Sequence, residues 1–184
     1  YPSPYLTGLF DRYVNGSKPD AFCYIIETNR GCPYRCAYCD WCFTKTIREF
    51  PIERIRKEID WFAAKKAEYI FCADANFGIL ERDLEIAQYI VEVKDRTGYP
   101  LIFNGCYAKN SNDVVFKISK LLFDNKANKS ATLAYQSMNT AALANVNRKN
   151  FTVENFSRLL QKYNEAGIPT YTEMILGLPG ETYD

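Results

Sequence analysis

Cys32, Cys36 and Cys39 share one short stretch, Gly31 to Cys39, that reads GCPYRCAYC. Gaps of three and then two residues put three thiols on one tight loop, close enough to serve a single metal centre. Soft thiolates select iron–sulfur clusters, zinc or cuprous copper. A 4Fe–4S cluster ordinarily takes four thiolates. Three would cap three irons and leave the fourth open to another ligand, and an open position distinguishes a catalytic metal from a structural one. Cys42 adds a further two-residue spacing, so the loop by itself also admits a closed site: a four-cysteine iron–sulfur electron-transfer module or a structural metal module. Two-cluster ferredoxins space their cysteines by two, two and three residues before a proline. The order here is the reverse, no second quartet exists, and Cys42 reads as a bystander or an outer neighbour of the site.

The rest of the composition narrows the chemistry. The chain of 184 residues contains no histidine. Ser-His-Asp and Cys-His catalysis and mixed cysteine–histidine zinc sites are therefore excluded within it. Hydrophobic residues make up 47%, enough for the core of one domain, and the net charge of +1 points to neither nucleic acid nor a membrane surface. Seven cysteines, an odd number with three crowded together, do not resemble a disulfide framework. They fit a reducing compartment, the cytoplasm. Cys23, Cys72 and Cys106 lie in apolar, strand-like runs and are expected to be small core residues.

The elements that must position the loop alternate between strand and helix. FCYIIET (Phe22 to Thr28) reads as a strand buried on both faces, with the cysteine loop at its end. Pro51 opens a helix whose apolar face is Ile52, Ile55, Ile59 and Phe62. A strand over Glu68–Ala73 and a helix over Glu81–Thr97, stopped by Gly98, follow. Next come a strand over Tyr99–Cys106, a helix over Asp113–Asp124 and a strand over Ala131–Gln136. A short helix near Thr140–Val146, a longer one over Thr152–Ala166 and a last strand over Pro169–Leu176 complete the set. Such alternation implies a parallel sheet with right-handed crossovers.

The C-x3-C-x2-C loop, with Tyr38 just before its last cysteine, resembles that of the radical S-adenosylmethionine (radical SAM) enzymes. The resemblance implies an α/β fold, a partial (β/α)6 TIM-like barrel of which about five parallel strands with helices outside are present. It also implies a 4Fe–4S cluster on Cys32, Cys36 and Cys39. Its open iron would bind S-adenosylmethionine and cleave it reductively to a 5′-deoxyadenosyl radical. YPSPYLTG near the start and ETNRGCPYRCAYCDW (Glu27 to Trp41) resemble the cobalamin-dependent methyltransferase subgroup. On that reading residues 1–20 connect to a preceding, cobalamin-binding domain, and 21–184 are the radical core, truncated before its sixth unit. Cobalamin, if used, would then be held mainly outside this chain.

The same resemblance assigns cofactor contacts at the strand ends, where barrel ligands gather. Asp74 and Asn76 stand where many members carry Gly-Gly-Glu, whose backbone holds the methionyl amino group. Gln136 and Ser137 fall where side chains bond the ribose, and Arg148 is placed to meet the methionyl carboxylate. Ile175 and Gly177 match a GxIxGxxE element beside adenine, although Glu173 replaces its first glycine and Glu181 comes one residue late. Tyr38 is the further adenine neighbour. No catalytic side chain is implied. The implied partners are a small-molecule or peptide substrate and an electron donor such as a flavodoxin or ferredoxin, with no membrane and no nucleic acid.

Overall fold

Five parallel strands carry the architecture, in two ladders with helices outside. A computed structural model of the chain describes residues 2–15, 22–42, 44–108 and 113–182. A short helix α1 (Asp11–Val14) precedes strand β1 (Cys23–Ile26). Two-residue strands β2 (Asn29–Arg30) and β3 (Arg48–Glu49) pair antiparallel and close the neck of the cysteine loop. Then come α2 (Ile52–Ala64), β4 (Tyr69–Phe77), α3 (Arg82–Thr97), β5 (Ile102–Tyr107) and α4 (Asp113–Asp124). β6 (Ala131–Gln136), α5 (Thr140–Asn145), α6 (Val153–Glu165) and β7 (Thr170–Met174) follow. The strand order β1-β4-β5 is parallel throughout, as is the pair β6-β7. This is the expected partial barrel.

Helical periodicity explains the outer layer. Ile55, Ile59 and Phe62 of α2 are completely buried, while Arg54 turns back to bond buried Glu58 at 2.9 Å. Ile86 and Ile90 of α3 and Ile118 and Leu122 of α4 face the same core, against Ile70 and Phe103 on the sheet. A separate cluster of Leu133, Tyr163 and Ile168 packs β6 and α6 together. No helix of the described residues is long and apolar enough to cross a membrane.

Three details differ from the sequence reading. β1 is shorter than expected and alternates, with Tyr24 and Ile26 buried and Cys23 and Ile25 exposed. Alternation of this kind marks a strand with one face on the core and the other towards solvent. β4 runs on through Asp74–Phe77, which reads as a loop because Asp74 and Asn76 are polar. Of the three cysteines expected in the core only Cys72 is buried; Cys23 and Cys106 are exposed.

Both ladders are irregular at their carboxyl ends. The pairing register shifts between Cys72 and Phe77 on β4 and between Ala134 and Gln136 on β6. Such irregularities re-aim side chains and gather beside functional sites. The cysteine loop lies at this end.

Candidate metal centre

The loop is held at its base by Thr28. Its backbone N–H donates to Asp74 Oδ1 at 2.7 Å and its hydroxyl donates to Asp74 Oδ2. Asn29 adds two more donors to the same carboxylate, its backbone N–H at 3.2 Å and its side-chain amide at 2.7 Å. From the other side, the Thr28 carbonyl accepts from Phe50 N at 3.0 Å and Arg82 Nη2 at 2.7 Å. Asp74 is wholly inaccessible. Burial pushes its carboxyl upward, and the Thr28 and Asn29 donors oppose that shift.

Beyond this clamp the chain turns at Gly31, whose φ is +116°. A Cβ there would lie 2.3 Å from the Thr46 carbonyl oxygen, so only glycine lets the loop's two limbs pass. Backbone bonds then fix the thiol-bearing turns: Cys32 N to Thr44 O at 3.1 Å, Ala37 N to Val146 O at 2.9 Å, and Cys39 N to Cys36 O at 3.1 Å.

Cys32 and Cys36 are buried and Cys39 is half-buried. The Asn76 amide donates to Cys32 Sγ at 3.1 Å, and Arg148 Nη1 stands 4.0 Å from Cys36 Sγ. Arg148 is not a solvated surface side chain: only 6% of it is exposed. Its other donors meet Ala134 O at 2.9 Å and Asn150 Oδ1 at 2.8 Å, both neutral acceptors. Among the described residues no three Cys, Asp or Glu converge on a point fit for one metal ion. A four-iron cluster takes each thiolate on a different iron, so its ligands need not converge. An amide N–H and a guanidinium aimed at two of the sulfurs suit thiolates that carry negative charge. Asn76 Oδ1 is buried without a partner and remains able to accept a hydrogen bond. The donor set therefore fits an iron–sulfur cluster with an amine-bearing cofactor beside it. The reading of Cys42 concerns a side chain outside the described residues.

The strand ends bring some of the expected cofactor residues together and occupy others. Tyr38 and Ile175 pack on the same small cluster of Ala142, Val146 and Leu178. Burial pushes the Tyr38 phenol up to about 12 against the nearby Arg148 charge, so it stays protonated. Ile175 N donates to the Gln136 carbonyl at 2.7 Å, and Gln136 itself is buried at a left-handed φ of +70°. The Ser137 hydroxyl donates to Glu181 Oε1 at 2.6 Å and accepts from Asn139 N at 3.0 Å. It is thus engaged within the protein, as is Asp74. Gly177 (φ +79°) has open space on the side where a Cβ would point.

A cavity of about 300 Å³ opens beside the loop, with Cys32 and Cys39 on one wall and Asn104, Cys106, Thr132 and Glu173 on others. The sequence assigns no site role to Thr28, Arg82 or Asn150, and it offers Cys106 only as a core residue. A strand-end threonine and a first-turn arginine carry no motif of their own. Cys106 could have been found only by knowing which face of β5 looks inward.

The family model described as the Radical SAM superfamily matches residues 26–184. The chain belongs to the radical SAM superfamily. It is 46% identical over 185 residues to a 2-(S-pantetheinyl)-carbapenam-3-carboxylate methyltransferase of Streptantibioticus cattleyicolor. It is 45% identical to the cobalamin-dependent radical SAM methyltransferase TokK of Streptomyces tokunonensis. Each match covers 98% of this chain and 27% of the relative, so the chain spans about a quarter of their length. Among solved structures it resembles the radical S-adenosylmethionine methyltransferase TsrM from Kitasatospora setae, with cobalamin and a [4Fe-4S] cluster bound. The TM-score is 0.69 at 20% identity, covering 95% of this chain and 34% of that one. That likeness is one of fold.

Proposed function

We propose that this chain is the catalytic barrel of a cobalamin-dependent radical SAM methyltransferase acting on a small molecule. The observation that carries the reading is the pairing of cluster thiols with polar donors: Asn76 on Cys32 and buried Arg148 beside Cys36. Support for methyl transfer comes from the two relatives, both named as methyltransferases. Residues 1–20 would connect to a cobalamin-binding domain, and 21–184 would form the core.

When bound, the cluster supplies the electron that splits the sulfonium cofactor, and cobalamin, held outside this chain, carries the methyl group. The chain's own residues bind and orient. Cys32, Cys36 and Cys39 would hold three irons. Asn76 Oδ1 would accept from the cofactor's amino group, and Gln136 would meet the ribose. Tyr38, Ile175 and Gly177 would form the adenine wall, where the small glycine would leave room for a flat ring. Arg148 balances negative charge on the sulfurs or the cofactor carboxylate. The cavity beside Cys32 and Cys39 is lined largely by apolar groups, and excluding water there protects a reactive species from side reactions. An acidic carrier such as a flavodoxin or ferredoxin would deliver the electron.

The test is anaerobic reconstitution of the protein with iron and sulfide, followed by electron-spin resonance with and without S-adenosylmethionine. A spectrum altered by the cofactor is expected, because an open iron takes a new ligand. A cluster with an unchanged spectrum would mean four protein thiolates and an electron-transfer or structural site.

A further inference from the structure

The three cysteines do not all look the same way. Cys32 and Cys39 line the inner cavity, whereas Cys36 lines a separate outer pocket of about 330 Å³. That outer pocket is ringed by Arg35, Lys45, Arg148 and Lys149, and among the described residues no carboxylate lines it. Arg35, Lys45 and Lys149 are exposed. Among the described residues none of these three pairs with an acid. The inner cavity is the converse, with Glu173 as its one charged lining residue among those described. In a chain of net charge +1, four cations around one opening are a local concentration.

We propose that this basic pocket is the docking surface for an acidic one-electron carrier protein, which reaches the cluster through Cys36. The inference rests on the cluster reading above. Three observations point to a protein rather than a small anion. The flexible cations stand exposed at the rim, where they can meet a carboxylate-studded surface. Only the buried Arg148 is fixed inside. The floor is a cluster ligand, so a carrier seated at the rim has a short path through one sulfur. Charge of one sign around a cleft speeds encounter with an opposite surface by about 10 to 10³, and the gain falls with salt. In the transfer the reduced carrier loses one electron and the cluster gains it; no proton or leaving group is involved. Electrons thus enter on the Cys36 side, and the reaction faces the Cys32 and Cys39 side.

The experiment compares the full-length, cluster-loaded enzyme with a triple variant, Arg35→Glu, Lys45→Glu and Lys149→Glu, using a flavodoxin as carrier. The variant's dissociation constant for oxidised flavodoxin is expected to rise at least about tenfold, with a weaker dependence on ionic strength. The rate of cluster reduction by flavodoxin hydroquinone should fall with it. Reduction by small cationic methyl viologen should not fall, and iron content and S-adenosylmethionine affinity should stay as in the wild type. Unchanged flavodoxin affinity with normal iron content overturns the docking surface and leaves the cluster reading intact. A loss of S-adenosylmethionine affinity in its place assigns the pocket to the cofactor and overturns the proposal equally. A wild-type enzyme that takes up no iron refutes the cluster reading, and the proposal falls with it.

Discussion

The side-chain amide of Asn76 donates to the sulfur of Cys32 across 3.1 Å, tying the end of β4 to the first thiol of the loop. A hydrogen bond to a cluster sulfur favours the reduced, more negative state and raises its potential. Asn76→Ala should therefore keep its iron but become harder to reduce. A tenfold change in the reduction equilibrium is about 59 mV for one electron, and a shift of up to that size is expected. A redox titration followed by electron-spin resonance measures it. A potential that rises or stays level would show that the contact has no bearing on the cluster.

Single replacements Cys32→Ala, Cys36→Ala and Cys39→Ala should each abolish the cluster or leave it labile. Cys42→Ala should retain near-normal iron and sulfide. Analysis of metal per chain after anaerobic reconstitution decides it. Loss in Cys42→Ala alone would promote Cys42 to a ligand and close the site.

Asp83 controls a pH dependence remote from the thiols. Its Oδ2 accepts from Gly78 N at 2.7 Å and Leu80 N at 3.1 Å, and its Oδ1 is buried without a partner. Burial, partly offset by these two N–H donors, raises its pKa to about 6, with Asp74 adding to the rise and Arg82 opposing it. Between about pH 4, near the unfolded value, and pH 6 the folded state binds more proton than the unfolded one. Stability contributed by this group is thus present at low pH and falls as pH rises through that window, by at most about 3 kcal/mol. Asp83→Asn keeps an acceptor for both N–H groups and removes the charge. Urea unfolding at pH 4.5 and 7.5 should show the variant gaining on the wild type at the higher pH. A gain at the lower pH would reverse the sign and refute the account.

Gln136 combines strain with a candidate contact. A left-handed conformation costs a non-glycine residue about 1–2 kcal/mol, whereas glycine's added freedom costs about 0.5–1. Gln136→Gly should leave stability equal or slightly higher. It should also weaken S-adenosylmethionine binding a few-fold to about tenfold, the loss of one neutral hydrogen bond. Calorimetric binding and thermal unfolding together separate the two effects. Unchanged affinity would place the ribose contact elsewhere.

The legibility of this chain followed its periodicities. α4 and β6 occur at the residues their patterns predict, because apolar repeats over six residues or more leave little choice. β2 and β3 did not show: two polar residues apiece carry no alternation, and their pairing depends on a loop closing over Gly31. Asp74 and Asn76 look like loop residues in sequence because buried polar groups are rare. They are strand residues because Thr28, Asn29 and Cys32 supply their partners from 44 to 46 positions earlier. The burial of Arg148 has no local sign for a similar reason, since it depends on Ala134, Asn150 and Cys36. Side chains whose partners are remote in the chain cannot be read locally.

The clamp on Thr28 also sets a schedule. The carboxylate that grips it lies at Asp74 and the guanidinium at Arg82, 46 and 54 residues further along. During synthesis from the amino end, the three thiols emerge well before either holder does. At about 5–20 residues per second, that interval lasts several seconds. Until β4 and the start of α3 have folded back, the thiols hang on an untied segment, open to stray metals and oxidants. Only a chain folded at least as far as Arg82 therefore presents the loop already clamped to incoming iron and sulfide.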